Sequence, residues 1–99
     1  VAKQIYKYVT ANTVYNVWLE KNRYANGRVA LILNDDEGQV ACATVNLPEH
    51  DIQHDEIIVK TWGENEAMLD FLVSNHIVAD TGREIPTGFV VARVCKLLI

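Results

Sequence analysis

Two kinds of apolar spacing divide this chain. From Lys3 to Trp62, and again from Phe89 to Leu98, apolar residues come in short runs or alternate with polar ones; only around Leu69 do they take a helical spacing. Lys3–Thr10 and Thr13–Leu19 are rich in Tyr, Val, Ile and Thr, the residues that suit a pleated surface. Ala11-Asn12 between them fits a tight hairpin, because Asn tolerates positive φ. In the second run Tyr15, Val17 and Leu19 share one face, while Val14, Asn16 and Trp18 share the other. Both faces are partly apolar, which predicts an internal strand or one whose outer face is covered.

Asn26-Gly27 is a strong turn signal that opens into Arg28–Leu33. The unbroken apolar run Val29-Ala-Leu-Ile-Leu33 predicts a strand buried on both sides at the centre of a sheet. Asn34-Asp-Asp-Glu-Gly38 is a solvated hairpin loop, and Gln39–Leu47 is its partner strand. There Ala41 and Ala43 leave room for a helix to approach. Pro48 ends the strand because it cannot donate to a ladder. The polar, acidic stretch Pro48–Glu56 leads into a further strand, Ile57–Trp62.

Gly63–Ser74 changes period. Met68, Leu69, Leu72 and Val73, with Phe71 beside them, form one helical face, and Glu64, Glu66 and Asp70 fall near the positive end of the helix dipole. Asn75-His76 is its stop. A helix of about three turns is unstable alone and must dock on the sheet. Asp80-Thr-Gly-Arg-Glu84 and Pro86-Thr-Gly88 read as turn clusters around a short connection, and Phe89–Leu98 as a last strand. The expected fold is α+β: a curled antiparallel meander of about five to six strands in a single sheet, with one short helix on one face. No linker or repeat divides it, so residues 1–99 form one domain.

Composition agrees with a core. The chain has 99 residues, of which 49% are apolar, enough for one unstapled domain. Its longest apolar run is far short of the ~18 residues of a membrane span. Val1-Ala-Lys-Gln-Ile-Tyr6 contains no hydrophobic signal region, and a cytoplasmic protein is expected. Cys42 and Cys95 lie in strand-like stretches without Cys-x-x-Cys spacing and are expected to be reduced and buried.

Charge changes the picture more. The net charge of −4 hides a basic first third (Lys3, Lys7, Lys21, Arg23 and Arg28 against Glu20) and a middle in which only Lys60 and Arg83 oppose the acids. Such a middle repels nucleic acid and anionic membranes and attracts basic surfaces. A protein-binding face is therefore the leading candidate, built from Asp35, Asp36, Glu37, Glu49, Asp51, Asp55 and Glu56, with Trp62 or Trp18 as an anchor if exposed. The alternative is a nucleic-acid or regulatory module on the basic N-terminal hairpin, with Tyr6, Tyr8, Tyr15 and Tyr24 as stacking groups. Against it, Lys3 and Lys7 alternate with Tyr6 and Tyr8 and so point to the opposite face. His50 and His54, spaced i, i+4, are the candidate metal ligands of a metal-assisted hydrolase, but no third ligand follows them at a known spacing. His76 stands at no recognised spacing from either cysteine, so nucleophilic catalysis has no base. Catalytic residues and cofactors are not expected.

Five segments together carry a resemblance: Tyr24-Ala-Asn-Gly-Arg-Val-Ala30, Val45-Asn-Leu-Pro48, Glu64-Asn-Glu-Ala-Met-Leu69, Thr81-Gly-Arg83 with Pro86-Thr-Gly-Phe89, and Val94-Cys-Lys-Leu97. Over roughly residues 20 to 98 the chain resembles a small bacterial family, a domain of unknown function carried on conjugative elements, plasmids and phage. The resemblance implies accessory cargo of a mobile element and supplies no catalytic residues. By analogy with small acidic proteins of such elements, it implies occupation of a host protein's nucleic-acid groove, as in anti-CRISPR-like inhibition of a defence nuclease.

Overall fold

A computed structural model describes residues 3–99. Its first sheet is a meander of four antiparallel strands in the order β1 (Tyr6–Val9), β2 (Val14–Arg23), β3 (Val29–Asp35) and β4 (Gly38–Cys42). The second has three, with β5 (Glu56–Val59) and β6 (Val78–Thr87) flanking the last strand, β7 (Val90–Leu97). The fold is α+β and antiparallel throughout, as the alternation predicts, but with seven strands in two sheets instead of five or six in one.

The ladders of the two sheets meet at one residue pair. Beyond β4, Thr44 pairs with Val59 in an isolated antiparallel bridge. Around it Val45 N–H donates to Ile58 O at 3.0 Å and Lys60 N–H to Ala43 O at 2.9 Å. Leaving β3 for β5 deprives Leu31 N–H of a main-chain acceptor, and the Thr44 hydroxyl accepts it instead at 3.2 Å. That hydroxyl also bonds the Tyr24 hydroxyl at 2.9 Å. A buried amide without a partner is costly, so the side chain completes what the crossover interrupts.

The expected turns form, although at Ala11-Asn12 without the positive φ expected of Asn12: the Thr10 hydroxyl accepts the Asn12 and Thr13 amides instead. Thr10 N–H donates to Thr13 O at 2.8 Å across Ala11-Asn12, and Gly27 takes φ +85° between β2 and β3. β2 and β3 are both internal, and Val17, Leu31 and Leu33 are fully buried, as their faces predict.

A 3-10 turn (Gly63–Asn65) leads into α1 (Met68–Ser74), a helix of seven residues without a side-chain N-cap. Its stability is tertiary: Met68, Phe71 and Leu72 are buried against β-strand residues including Tyr8, Leu33 and Ala41, each such side chain contributing about 1.5–3 kcal/mol. The small side chains of Ala41 and Ala43 do admit the helical segment, and buried Asn65 donates to Cys42 O at 2.7 Å. The helix ends at Asn75. His76 N–H donates to Val73 O and Ile77 N–H to Leu72 O, the paired bonds of a Schellman motif, with His76 itself at φ +58°.

The second sheet is covered on both faces. Ile57, Val59 and Cys95 join the main core, whereas Ile58, Ile85, Ala92 and Val94 form a second cluster capped by Val45, Leu47, Ile52 and Trp62. The loop from Val45 to Asp55 is therefore a lid of the core. Arg28 ties it down, its guanidinium donating to Leu47 O at 2.8 Å and to His50 O. No helix among the described residues is long and apolar enough to cross a membrane.

The expected connection at Asp80–Gly88 is instead most of β6. It escapes the alternation rule because it is an edge strand, broken by an irregular register between Asp80 and Glu84, in which Val78 and Ile85 are its buried residues. Arg93 of β7 holds the irregular segment, 3.0 Å from Asp80 and 3.1 Å from Glu84.

Candidate functional site

The acidic residues do not form one surface. Asp35, Asp36 and Glu37 occupy the β3–β4 turn, where the Asp35 carboxylate accepts Glu37 N–H at 2.9 Å. Glu49, Asp51 and Asp55 lie on the lid loop and Glu56 at the start of β5, at the other end of the β3–β4 hairpin, roughly 20 Å away along β3. Most of this second group is engaged locally. Asp55 is 3.6 Å from the Lys96 ammonium, Glu56 accepts Gln53 N–H at 2.7 Å, and Glu49 is 3.8 Å from His50. Asp51 is exposed, its carbonyl accepting from Arg83.

The tryptophans are not free anchors. Trp62 is half-buried in the second cluster, with Lys60 above its ring, and Trp18 is half-buried beneath the Lys3 ammonium, 4.0 Å from the ring centroid. Nor do the tyrosines form an open stacking platform. Tyr6 and Tyr8 meet Phe71 edge-on, and Tyr24 is bound to Thr44. Of the basic groups of that alternative, Arg28 is occupied with the lid, and Arg23 donates to Gly27 O at 2.9 Å. His50 is half-buried and His54 exposed; among the described residues no three His, Cys, Asp or Glu side chains gather as metal ligands.

The structure does assemble an acidic cleft from other parts of the chain. A concavity of about 300 Å³ is bounded by the β1–β2 turn (Thr10–Thr13), by Tyr8, Tyr15, Val40 and Ala41, and by Gly63, Glu64, Glu66 and Ala67 at the start of the helical segment. A second, of about 290 Å³, lies between Val14, Tyr15, Asn16 and the turn acids Asp35, Asp36 and Glu37. Tyr15 lines both, so Glu64 and Glu66 border one depression and Asp35, Asp36 and Glu37 border its neighbour. No Lys or Arg lines either part.

The electrostatics keep this cleft negative. Hydrogen bonding at its own backbone, and then Lys60 at 3.0 Å, hold the Glu64 carboxyl below the ordinary carboxylate range. Lys60 offsets only that one acid. Tyr8 sits in the floor with its hydroxyl toward Glu64 O; burial, then the neighbouring Glu64 and Tyr15, raise its phenol above the ordinary range, so it remains a neutral donor.

Glu64 and Glu66 thus border one depression and Asp35, Asp36 and Glu37 the other, with Tyr15 common to the two. The helix-dipole argument accounts for both glutamates without any site. The signal that could have found them is the absence of a basic residue anywhere from Thr61 to Asn75.

The cysteines supply no nucleophile to the cleft. Both are free. Cys95 is buried, and desolvation, with Asp80 nearby, pushes its thiol up to about 12. Cys42 is half-buried rather than buried, with its sulfur beside Thr44 O at 3.4 Å.

Fold and cleft together define an α+β protein of two bridged antiparallel sheets with a negatively charged surface depression. Compared with protein families, curated proteins and solved structures, the chain matches none.

Proposed function

We propose that this chain is a non-enzymatic, protein-binding module that meets a basic partner surface with the cleft around Tyr15. One observation carries the reading: Tyr15 lines two neighbouring depressions, one bordered by Glu64 and Glu66 and the other by Asp35, Asp36 and Glu37, and no Lys or Arg lines either. Opposite charge on a partner would steer association and fix its register, while Tyr15 supplies contact area. The mobile-element resemblance gives this a setting. A small acidic protein of a plasmid or phage, acting in the bacterial cytoplasm, occupies the nucleic-acid groove of a host protein, and a defence nuclease is the partner whose groove has the required charge.

The test is capture of a partner from bacterial lysate at low salt, followed by affinity measurements as salt rises. Screening shortens from about 10 Å at 0.1 M to about 3 Å at 1 M, so a steered complex weakens steeply over that range. Replacing Asp35, Asp36 and Glu37 with Lys abolishes retention, and so does Glu64→Lys with Glu66→Lys. Retention of no specific partner at low salt, or equal binding by the reversed variants, refutes the proposal.

A further inference from the structure

The depression bordered by Glu64 and Glu66 holds an excess of acceptors over donors. Its walls bring carboxylates, a buried phenol and an aromatic ring into one cavity of about 300 Å³, room for a single side chain. Tyr15 is half-buried there and stacked on Tyr8, with ring centroids 6.3 Å apart. Glu64 and Glu66 are exposed on the opposite wall. Lys60, just beyond β5, is committed to Glu64 at 3.0 Å, whereas Glu66 makes no ion pair among the described residues. The neutral groups point the same way. Tyr8 is 1% exposed, yet the only partner of its hydroxyl is Glu64 O at 3.5 Å, beyond the range of about 2.5–3.0 Å for an O–H···O bond. Its oxygen accepts no hydrogen bond from the described residues. Asn65, flanked by the two glutamates, is also buried, with its Oδ1 unpaired. Buried polar groups without a full partner are costly, and a ligand rich in donors relieves a wall of this kind.

We propose that this depression is a guanidinium site, filled by an arginine side chain of the basic partner. It rests on the protein-binding reading and names the residue that enters the cleft. A guanidinium is planar, permanently charged and carries its donors in a fixed fork. It lies against the Tyr15 ring while donating to the Glu66 carboxylate and to the Tyr8 oxygen, so one group answers the charge, the aromatic face and the buried phenol together. A lysine ammonium is more strongly hydrated and has no plane to set against the ring. An apolar side chain leaves the acceptors unpaired, and an anion is repelled by Glu66. The neighbouring depression differs in kind. None of its lining residues, Asp35, Asp36 and Glu37 included, is buried, so it attracts the same partner without selecting a residue type.

The probes are N-acetyl-arginine amide, its lysine counterpart and its glutamate counterpart, each titrated into the isotopically labelled full chain and followed by NMR. The arginine probe shifts the amides of Gly63–Ala67 and of Tyr15; the lysine probe binds about threefold or more weakly, and the glutamate probe leaves these amides unmoved. Tyr8→Phe removes only the hydroxyl and weakens the arginine probe about twofold to tenfold, the equivalent of one hydrogen bond. Tyr15→Leu weakens it about twofold to fivefold. Glu66 is exposed, so Glu66→Gln tests the site whatever the tyrosine variants do to the core; it weakens the probe about tenfold. Glu20→Gln, the same change of charge elsewhere on β2, leaves the affinity as it was. The site is refuted if no probe moves Gly63–Ala67, if lysine binds as tightly as arginine, or if Glu66→Gln and Tyr8→Phe both bind arginine as the parent does. A partner captured from lysate through Asp35–Glu37 while the arginine probe leaves Gly63–Ala67 unmoved sinks the guanidinium site and spares the protein-binding reading. The arginine probe bound at Gly63–Ala67 with no partner captured supports the site and refutes that reading, leaving a free guanidinium compound as the occupant.

Discussion

Replacing Thr44 with Val tests the joint between the sheets. Valine has nearly the same shape, so the change isolates the hydroxyl. It leaves Leu31 N–H without its acceptor and Tyr24 with only its weak contact to the Cys42 sulfur. Thr44 is buried and Leu31 fully so, which keeps water from replacing the lost acceptor. An unpartnered buried amide costs about 1–3 kcal/mol, and the weakened Tyr24 contact about 1 kcal/mol more. The added methyl returns somewhat less than about 1 kcal/mol. The expected net loss is about 2 kcal/mol, which at this chain length lowers Tm by roughly 8–16 °C. Urea unfolding followed by circular dichroism measures it, with Thr44→Ser as the control that keeps the hydroxyl and loses less than about 1 kcal/mol. An unchanged m-value confines the effect to the native state. If Thr44→Val unfolds within about 0.5 kcal/mol of the parent, or if Thr44→Ser is the more damaging change, the hydroxyl does not hold the junction.

Three further outcomes are expected. His76→Gly is neutral or stabilises the protein by up to about 1 kcal/mol, since glycine adopts the left-handed backbone of the Schellman motif freely, whereas His76→Val destabilises it by about 1–2 kcal/mol; thermal melts of the pair check the order. Arg28→Ala releases the lid loop, costs about 1–3 kcal/mol, and exposes bonds between Asn46 and Asp55 to limited proteolysis before the strands are cut. The raised Cys95 thiol binds its proton more tightly in the folded than the unfolded chain, so its contribution to stability is present below its ordinary 9.0 and is lost as pH climbs from there through about 12; denaturant midpoints across that range fall less in Cys95→Ala, and iodoacetamide labels Cys42 well before Cys95 in native protein.

The parts of the fold that were legible in sequence are those where local chemistry and tertiary environment agree. Ala11-Asn12 and Asn26-Gly27 dictate turns, and the faces of Thr13–Leu19 and Val29–Leu33 declare their burial. Met68, Leu69 and Leu72 mark a docked helix. The division into two sheets was illegible because it depends on one threonine hydroxyl replacing a carbonyl, which leaves no periodic trace. β6 was obscured for a related reason: Gly82 and Pro86 are turn residues by propensity, tolerated in a strand because this one is an irregular edge. Phe89, expected to open the last strand, instead precedes β7 and is fully exposed, while Cys95 within it is buried. The main core covers only the end of the strand that holds Cys95. Linear charge counting found an acidic middle but could not place it. The fold sends Glu49, Asp51 and Asp55 to the lid and sets Glu64 and Glu66 beside a depression that shares only Tyr15 with the one at the turn acids.

The unequal edges of the two sheets have a consequence for behaviour in a crowded cell. Strand-by-strand growth into a fibre needs every unit both to accept a neighbour and to offer itself to the next. β1 leaves one side of its ladder unpaired, whereas the proline and kinked register of β6 make that edge a poor one to extend. Strand-by-strand growth through β6 is thereby discouraged, whatever β1 receives.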